Sequence, residues 1–155
     1  MSILRKTSIA ILAGLFIAGM SPAQEKKIKR SDLPPAVEKT VAEVSKGATI
    51  KGFSEETENG KTIYEVGIVI KGYTKEVELE PSGTIVEVEE EAAMASLPAN
   101  VKAGLTARAA GARILKVESL TKNGKLVAYE AKVETAGKKS EIQVGPDGKP
   151  LDHEE

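Results

Sequence analysis

Five glutamates form the most regular charge pattern in the chain. Glu76, Glu78 and Glu80 alternate with Val77 and Leu79, and Glu87 and Glu89 alternate with Val86 and Val88. Successive side chains of a strand point to opposite faces, so two such strands joined as a hairpin bring all five carboxylates to one solvent face. A face of one sign concentrates counter-ions, so this one can attract a cation, a small cationic ligand or a basic partner. An ordinary wet sheet face has the same pattern, because charged residues are common there. A calcium loop needs carboxylates at close, fixed spacing around a glycine, and no segment has that spacing.

The residues for covalent or acid–base chemistry are sparse. His153 is the only histidine, close to the end of the chain, and a general base needs a second group to orient it. The absence of cysteine excludes disulfides, thiolate metal sites, a cysteine nucleophile and a lipid-modified cysteine. One histidine and no cysteine leave no usual zinc ligand set, and a Ser-His-Asp triad would have to run through His153. Gly145-Pro146-Asp147-Gly148 reads as a turn, not as a phosphate-binding glycine pattern. No catalytic set and no cofactor are expected.

The strands that carry the glutamates belong to a repeat. Leu33-Pro34 and Val37 recur as Leu97-Pro98 and Val101, and Asn59-Gly60-Lys61 recurs as Asn123-Gly124-Lys125, at an offset of 64. One inserted residue makes the offset 65, matching Tyr64-Glu65 with Tyr129-Glu130, Gly72 with Gly137 and Pro81-Ser82-Gly83 with Pro146-Asp147-Gly148. Sixteen of 52 paired positions are identical, several of them Gly, Pro or Asn, which fix backbone geometry; self-similarity of this kind marks a repeat architecture. Each unit reads as one helix, capped by Asp32 or Ser96 and ended by Gly47 or Gly111, followed by about four antiparallel strands. Asn-Gly marks the first tight turn. The last strand is expected over Thr84 to Glu89, with Glu89-Glu90-Glu91 beginning a linker; its counterpart, Lys149 to Asp152, is interrupted by Pro150 and reads as an edge or a tail. The fold class is therefore α+β, with two tandem modules, 31–91 and 92–155, each a helix packed on an antiparallel sheet. A unit this small struggles to hold a core alone, so the two are expected to pack closely or to share one continuous sheet.

Residues 1–23 read as an export signal. Arg5 and Lys6 precede an apolar stretch, Ile9 to Ala18, and Ser21-Pro22-Ala23 supplies small residues for cleavage after Ala23. The stretch is shorter than the roughly 20 apolar residues of a spanning helix, so no membrane span is expected after cleavage. The mature chain is placed in the periplasm or outside the cell, and 24–30 is expected to be a flexible basic arm. Charge then divides unevenly: residues 31–91 hold 6 Lys/Arg and 14 Asp/Glu, whereas 92–155 hold 10 and 8. The formal net charge of −1 for the whole chain argues against a nucleic-acid partner, which needs a basic surface.

Leu33-Pro34, Asn59-Gly60-Lys61, Tyr64-Glu65-Val66 and Pro81-Ser82-Gly83, with their second copies, resemble the PepSY-like family, also described as β-lactamase-inhibitor-like. The resemblance covers nearly all of the mature chain. It implies an exported tandem module, and a peptidase-inhibiting role has been proposed for such modules; no inhibitory motif carries over residue by residue. Two functions follow as expectations. The first is a non-catalytic binding protein for a protein or peptide, inhibiting a peptidase or another envelope enzyme. The second is a periplasmic sensor of a cation or small ligand that uses the acidic face of Glu76, Glu78, Glu80, Glu87 and Glu89. The acidic first copy, or the seam between copies, is the expected contact region.

Overall fold

A computed structural model describes residues 25–58, 60–153 and 155. The export signal read at 1–23, and Asn59, lie outside the described residues. The described chain is α+β: eight antiparallel strands form one open sheet in sequential order, β1 to β8, and two helices pack on it. The strands are β1 (Lys26–Ile28), β2 (Thr49–Glu58), β3 (Lys61–Ile70), β4 (Tyr73–Leu79), β5 (Ile85–Glu91), β6 (Arg113–Lys122), β7 (Lys125–Thr135) and β8 (Lys138–Val144). Helix α1 (Pro35–Val44) follows β1, and α2 (Ala99–Ala109) joins β5 to β6.

Helical spacing of apolar residues decides which side the helices cover. Leu33, Val37 and Val41 bury against Val66, Ile68, Val77 and Leu79. Leu97, Val101, Leu105 and Ala109 bury against Val117, Ala131, Val133 and Val144. In β3 and β4 these are every second residue, so the intervening residues face away from the helices. Burying a Val or Leu side chain contributes about 1.5–3 kcal/mol, and this alternation fixes the register, because a one-residue slip would turn every apolar side chain to water.

Three details differ from the sequence reading, and a fourth decides between the alternatives it left open, an edge or a tail at Lys149 to Asp152. The helices begin three residues after the expected caps. Pro34 and Pro98 take the cap position with extended backbone, and their carbonyls accept from the Glu38 and Lys102 amides at 2.9 and 3.0 Å; Asp32 instead accepts from the Lys29 amide, and Ser96 donates to the Ala93 carbonyl. Lys26–Ile28, read as part of a flexible arm, pairs with Phe53–Glu55 of β2 as the edge strand. Glu89–Glu91, read as the start of a linker, belong to β5 and pair with Leu120, Ser119 and Glu118 of β6. Lys149 to Asp152 forms no strand, so α2 is followed by three strands where α1 is followed by four.

The Pro-x-Gly turns lock each helix to the sheet. Gly83 and Gly148 both have left-handed φ, 80° and 79°. A Cβ on Gly83 would collide with the Ala36 carbonyl, and one on Gly148 with the Asn100 carbonyl, in the first turns of α1 and α2. The Thr40 hydroxyl donates to the Gly83 carbonyl at 2.8 Å. At Gly104 a Cβ would strike the Gly148 carbonyl, so the second turn seats on a bare helix surface. Gly72 has φ of 90° but open space around it. Gly83→Ala is therefore expected to cost about 3 kcal/mol of stability, and Gly72→Ala about 1 kcal/mol, because only the first adds a backbone collision to the left-handed strain; urea unfolding of the two variants checks the difference.

Candidate functional site

The face of the sheet turned away from the helices gathers charged side chains from all eight strands. Register places Glu76 opposite Glu89, and Glu78 opposite Glu87, across β4 and β5. Glu80 follows β4, and with Glu78 and Glu87 it lines a shallow depression that also contains Lys61, Ile63 and Lys122. The five glutamates singled out from the sequence therefore share this open face. Glu87 and Glu80 meet cations: Lys122 Nζ lies 3.6 Å from Glu87 and Lys61 Nζ 3.8 Å from Glu80.

The face is larger than that group. Glu65 on β3 sits opposite Glu78. Glu91 at the end of β5 is opposite Glu118 on β6, which is opposite Glu130 on β7, which is opposite Gln143 on β8. Glu118 is 2% exposed and is held by Lys116 at 2.6 Å and Lys132 at 3.4 Å. Lys132 also reaches Glu141 at 3.8 Å. Gln143 Nε2 donates to Glu130 at 3.0 Å, and its Oε1 accepts from the Glu155 amide at 2.8 Å, so the end of the chain lies on this face. His153 is exposed on that tail, its Nε2 3.9 Å from Glu155 Oε1. Among the described residues no group of three or more His, Asp or Glu is placed to hold a metal ion.

Crowded carboxylates change their acidity. Burial pushes the Glu65 carboxyl up to about 7, and the charges of Glu76, Glu25 and Glu56 add to it, against one hydrogen bond from Ser54. Burial likewise pushes Glu89 up to about 7, with Glu118, Glu130 and Glu76 adding and Lys132 opposing. Glu130 is raised by burial, with Gln143 opposing. Burial works against the Lys132 ammonium, but Glu118, by charge and hydrogen bond, together with Glu141 and Glu89, holds it above its usual value. Glu91 is lowered, first by the Thr74 amide that donates to it at 2.9 Å. In physical terms the surface is a hydrogen-bonding and electrostatic platform whose charge changes near neutrality.

Sequence reasoning missed Glu65, Glu118 and Glu130. Two of them were visible as the recurring pair Tyr64-Glu65 and Tyr129-Glu130, in which the tyrosine faces the helices. Glu118 had no such signal, since its burial depends on which residues of β5 and β7 flank it.

No family model and no curated protein matches the chain. Solved structures do. A DUF2874 family protein from Bacteroides ovatus matches with a TM-score of 0.61 and 19% identity over 77% of this chain and 84% of that one. A provisionally named periplasmic protein from Bacteroides eggerthii matches with a TM-score of 0.63 and 17% identity over 77% and 86%. A BLIP-like protein from Bacteroides fragilis matches with a TM-score of 0.57 and 21% identity over 77% and 83%. At these identities the likeness is one of fold: an open antiparallel sheet backed by helices, of the kind found in DUF2874 and BLIP-like proteins.

The raised carboxyls make stability depend on pH with a definite sign. Glu65 and Glu89 bind a proton more tightly folded than unfolded, so their contribution is full below the ordinary value of 4.5 and is lost as pH rises through about 7. Glu89→Gln is expected to stabilise the protein by about 1 kcal/mol at pH 8, a solvent-screened part of the ~1.4 kcal/mol carried by each pKa unit, and to leave stability at pH 4.5 unchanged. Denaturant unfolding at the two pH values checks both halves of the expectation.

Proposed function

We propose that this chain is an exported, non-catalytic binding protein, built from two copies of one helix-plus-sheet module, that engages a protein or peptide through the open face of its sheet. Inhibition of a peptidase or another envelope enzyme is the outcome we assign to that binding. The observation that carries the reading is the open face itself. Both helices pack on the other side, and the face holds half-buried carboxylates, Glu65 and Glu89, whose acidity is shifted to about 7. Keeping charged groups in such surroundings opposes folding, and a partner that supplies cationic or hydrogen-bonding groups turns that cost into affinity and specificity.

Several findings support parts of the reading. The duplication is supported by paired features in the two halves: a register shift after Ile50 and after Ile114, and the glycine-on-helix contacts of Gly83 and Gly148. Export to the periplasm is supported by the 1–23 sequence pattern and by the name of the Bacteroides eggerthii structure. An inhibitor-like role is supported by the BLIP-like structure from Bacteroides fragilis. The cation-sensor alternative is not favoured, since among the described residues no group of three or more carboxylates is placed to hold a metal ion.

The test compares two faces. Residues 24–155 are used as bait in periplasmic extract, as wild type, as Glu76→Gln/Glu78→Gln/Glu87→Gln on the open face, and as Lys39→Ala/Glu43→Ala on exposed α1 positions. A saturable partner is expected whose affinity falls at least about tenfold, or ~1.4 kcal/mol, with the open-face variant only. No saturable partner, or loss caused by the helix variant, contradicts the proposal. Intact mass of the periplasmic protein checks export, with Gln24 expected as its first residue.

A further inference from the structure

The first half of the open face contains a gap that the second half fills with two lysines. Across β6, β7 and β8, Lys116, Lys132 and Glu141 lie in one row. Across β2, β3 and β4 the row in the same register is Gly52, Gly67 and Glu76. Both rows follow the same irregularity, between Ile50 and Gly52 and between Ile114 and Lys116. In the next row, Ser54 and Glu65 stand where the second half has Glu118 and Glu130. The second half thus pairs two of its carboxylates with its own cations, Glu118 with Lys116 and Lys132, and Glu141 with Lys132. The first half has only glycine hydrogens where those lysine side chains would start, and keeps its carboxylates.

The backbone does not demand glycine at either position. Neither Gly52 nor Gly67 has positive φ. A Cβ on Gly52 would meet nothing within 4 Å, and one on Gly67 only the Lys51 Cβ at 3.8 Å. Glycine inside a strand is destabilising by roughly 0.5–1 kcal/mol relative to alanine, and it often marks a place where a ligand or another backbone comes close. Over the two glycines lies a groove of about 250 Å³, walled by Ser54, Glu65 and Glu76, with Glu25, Lys27 and Lys51 around it. Among the described residues no ion pair joins Glu65 or Glu76 to a cation, those two lysines included. The carboxyl of Glu65, pressed by burial and by Glu76, Glu25 and Glu56, accordingly stays at about 7.

We propose that this groove is a socket for one lysine or arginine side chain of the protein partner, with the glycine floor admitting the stem and Glu65 and Glu76 receiving the cationic head. The arrangement reproduces between two chains what Lys132 does within this one. It rests on the open-face reading and narrows it: the partner projects a basic side chain into the β2–β4 end of the face. Long cationic side chains suit such a site because their stems are apolar and only the tip is charged.

The experiment follows isotope-labelled residues 24–155 by NMR at pH 7 during titration with Nα-acetyl-lysine methylamide, Nα-acetyl-arginine methylamide and the uncharged norleucine analogue. The two cationic probes are expected to shift the Gly52 and Gly67 amides and to lower the Glu65 titration midpoint by about one pH unit, the effect of an opposite charge within a few ångström. The norleucine probe is expected to do neither. Gly67→Lys, which builds the second half's arrangement into the first, should lower the Glu65 midpoint with no probe present and abolish probe binding. Glu65→Gln should weaken binding at least about tenfold while leaving the β6–β8 amide pattern intact, which shows that the fold persists. Equal shifts from charged and neutral probes, no shifts at all, or a Glu65 midpoint unmoved in Gly67→Lys would overturn the socket. The open-face reading fails separately: a captured partner that tolerates Gly67→Lys but not the open-face triple variant overturns the socket alone, whereas one lost only with the helix variant overturns the open-face reading.

Discussion

Directly opposed side chains in an antiparallel sheet stand about 5 Å apart, and that spacing governs this molecule. The apolar half of each alternating strand must face the helices, so the charged half is committed to the other face at the same close spacing. There Glu76 faces Glu89, Glu78 faces Glu87 and Glu118 faces Glu130. Like charges so placed oppose folding, and each must be offset by a cation, a hydrogen bond or a proton. The structure uses all three: Lys116 and Lys132 around Glu118, Gln143 on Glu130, and carboxyls at Glu65 and Glu89 that hold a proton up to about neutrality.

The two halves answer this constraint differently. In the second, a buried glutamate is enclosed by two lysines, an arrangement in which loss of either partner would leave a charge stranded. In the first, glycines replace the corresponding lysines. The same scaffold thus presents one self-contained end and one end that is electrostatically incomplete. The difference in net charge between residues 31–91 and 92–155 has a local structural counterpart here, in four positions: 52, 67, 116 and 132.

Much of the fold was legible because it rests on short-range rules. Val and Leu alternation in β3 and β4, the glycine turns and the helical spacing of Leu33, Val37 and Val41 all depend on neighbours close in sequence. The failures came where a remote partner decides. Glu89–Glu91 break the alternation as three like charges and read as a linker, yet they are strand because β6 pairs with them, and β6 arrives only after α2. Lys26–Ile28 are too short and too basic to suggest a strand until β2 supplies the partner. The caps failed because proline already holds the extended backbone that a cap needs. The acidic group of Glu76, Glu78, Glu80, Glu87 and Glu89 was legible as a face, since it needs one hairpin only. The crowding of Glu65 and the burial of Glu118 were not: the first needs β2, β4 and Glu25 together around β3, and the second needs β5 to pair with β6 across the intervening α2.

The binding role proposed for the open face depends on its holding carboxylates that the chain leaves uncompensated. Site-resolved carboxyl NMR titration of the unliganded mature chain measures this directly. Glu65 and Glu89 are expected to titrate at about 7; midpoints for both near the ordinary carboxylate value of about 4.3 would show a solvated, unremarkable sheet face and would contradict it.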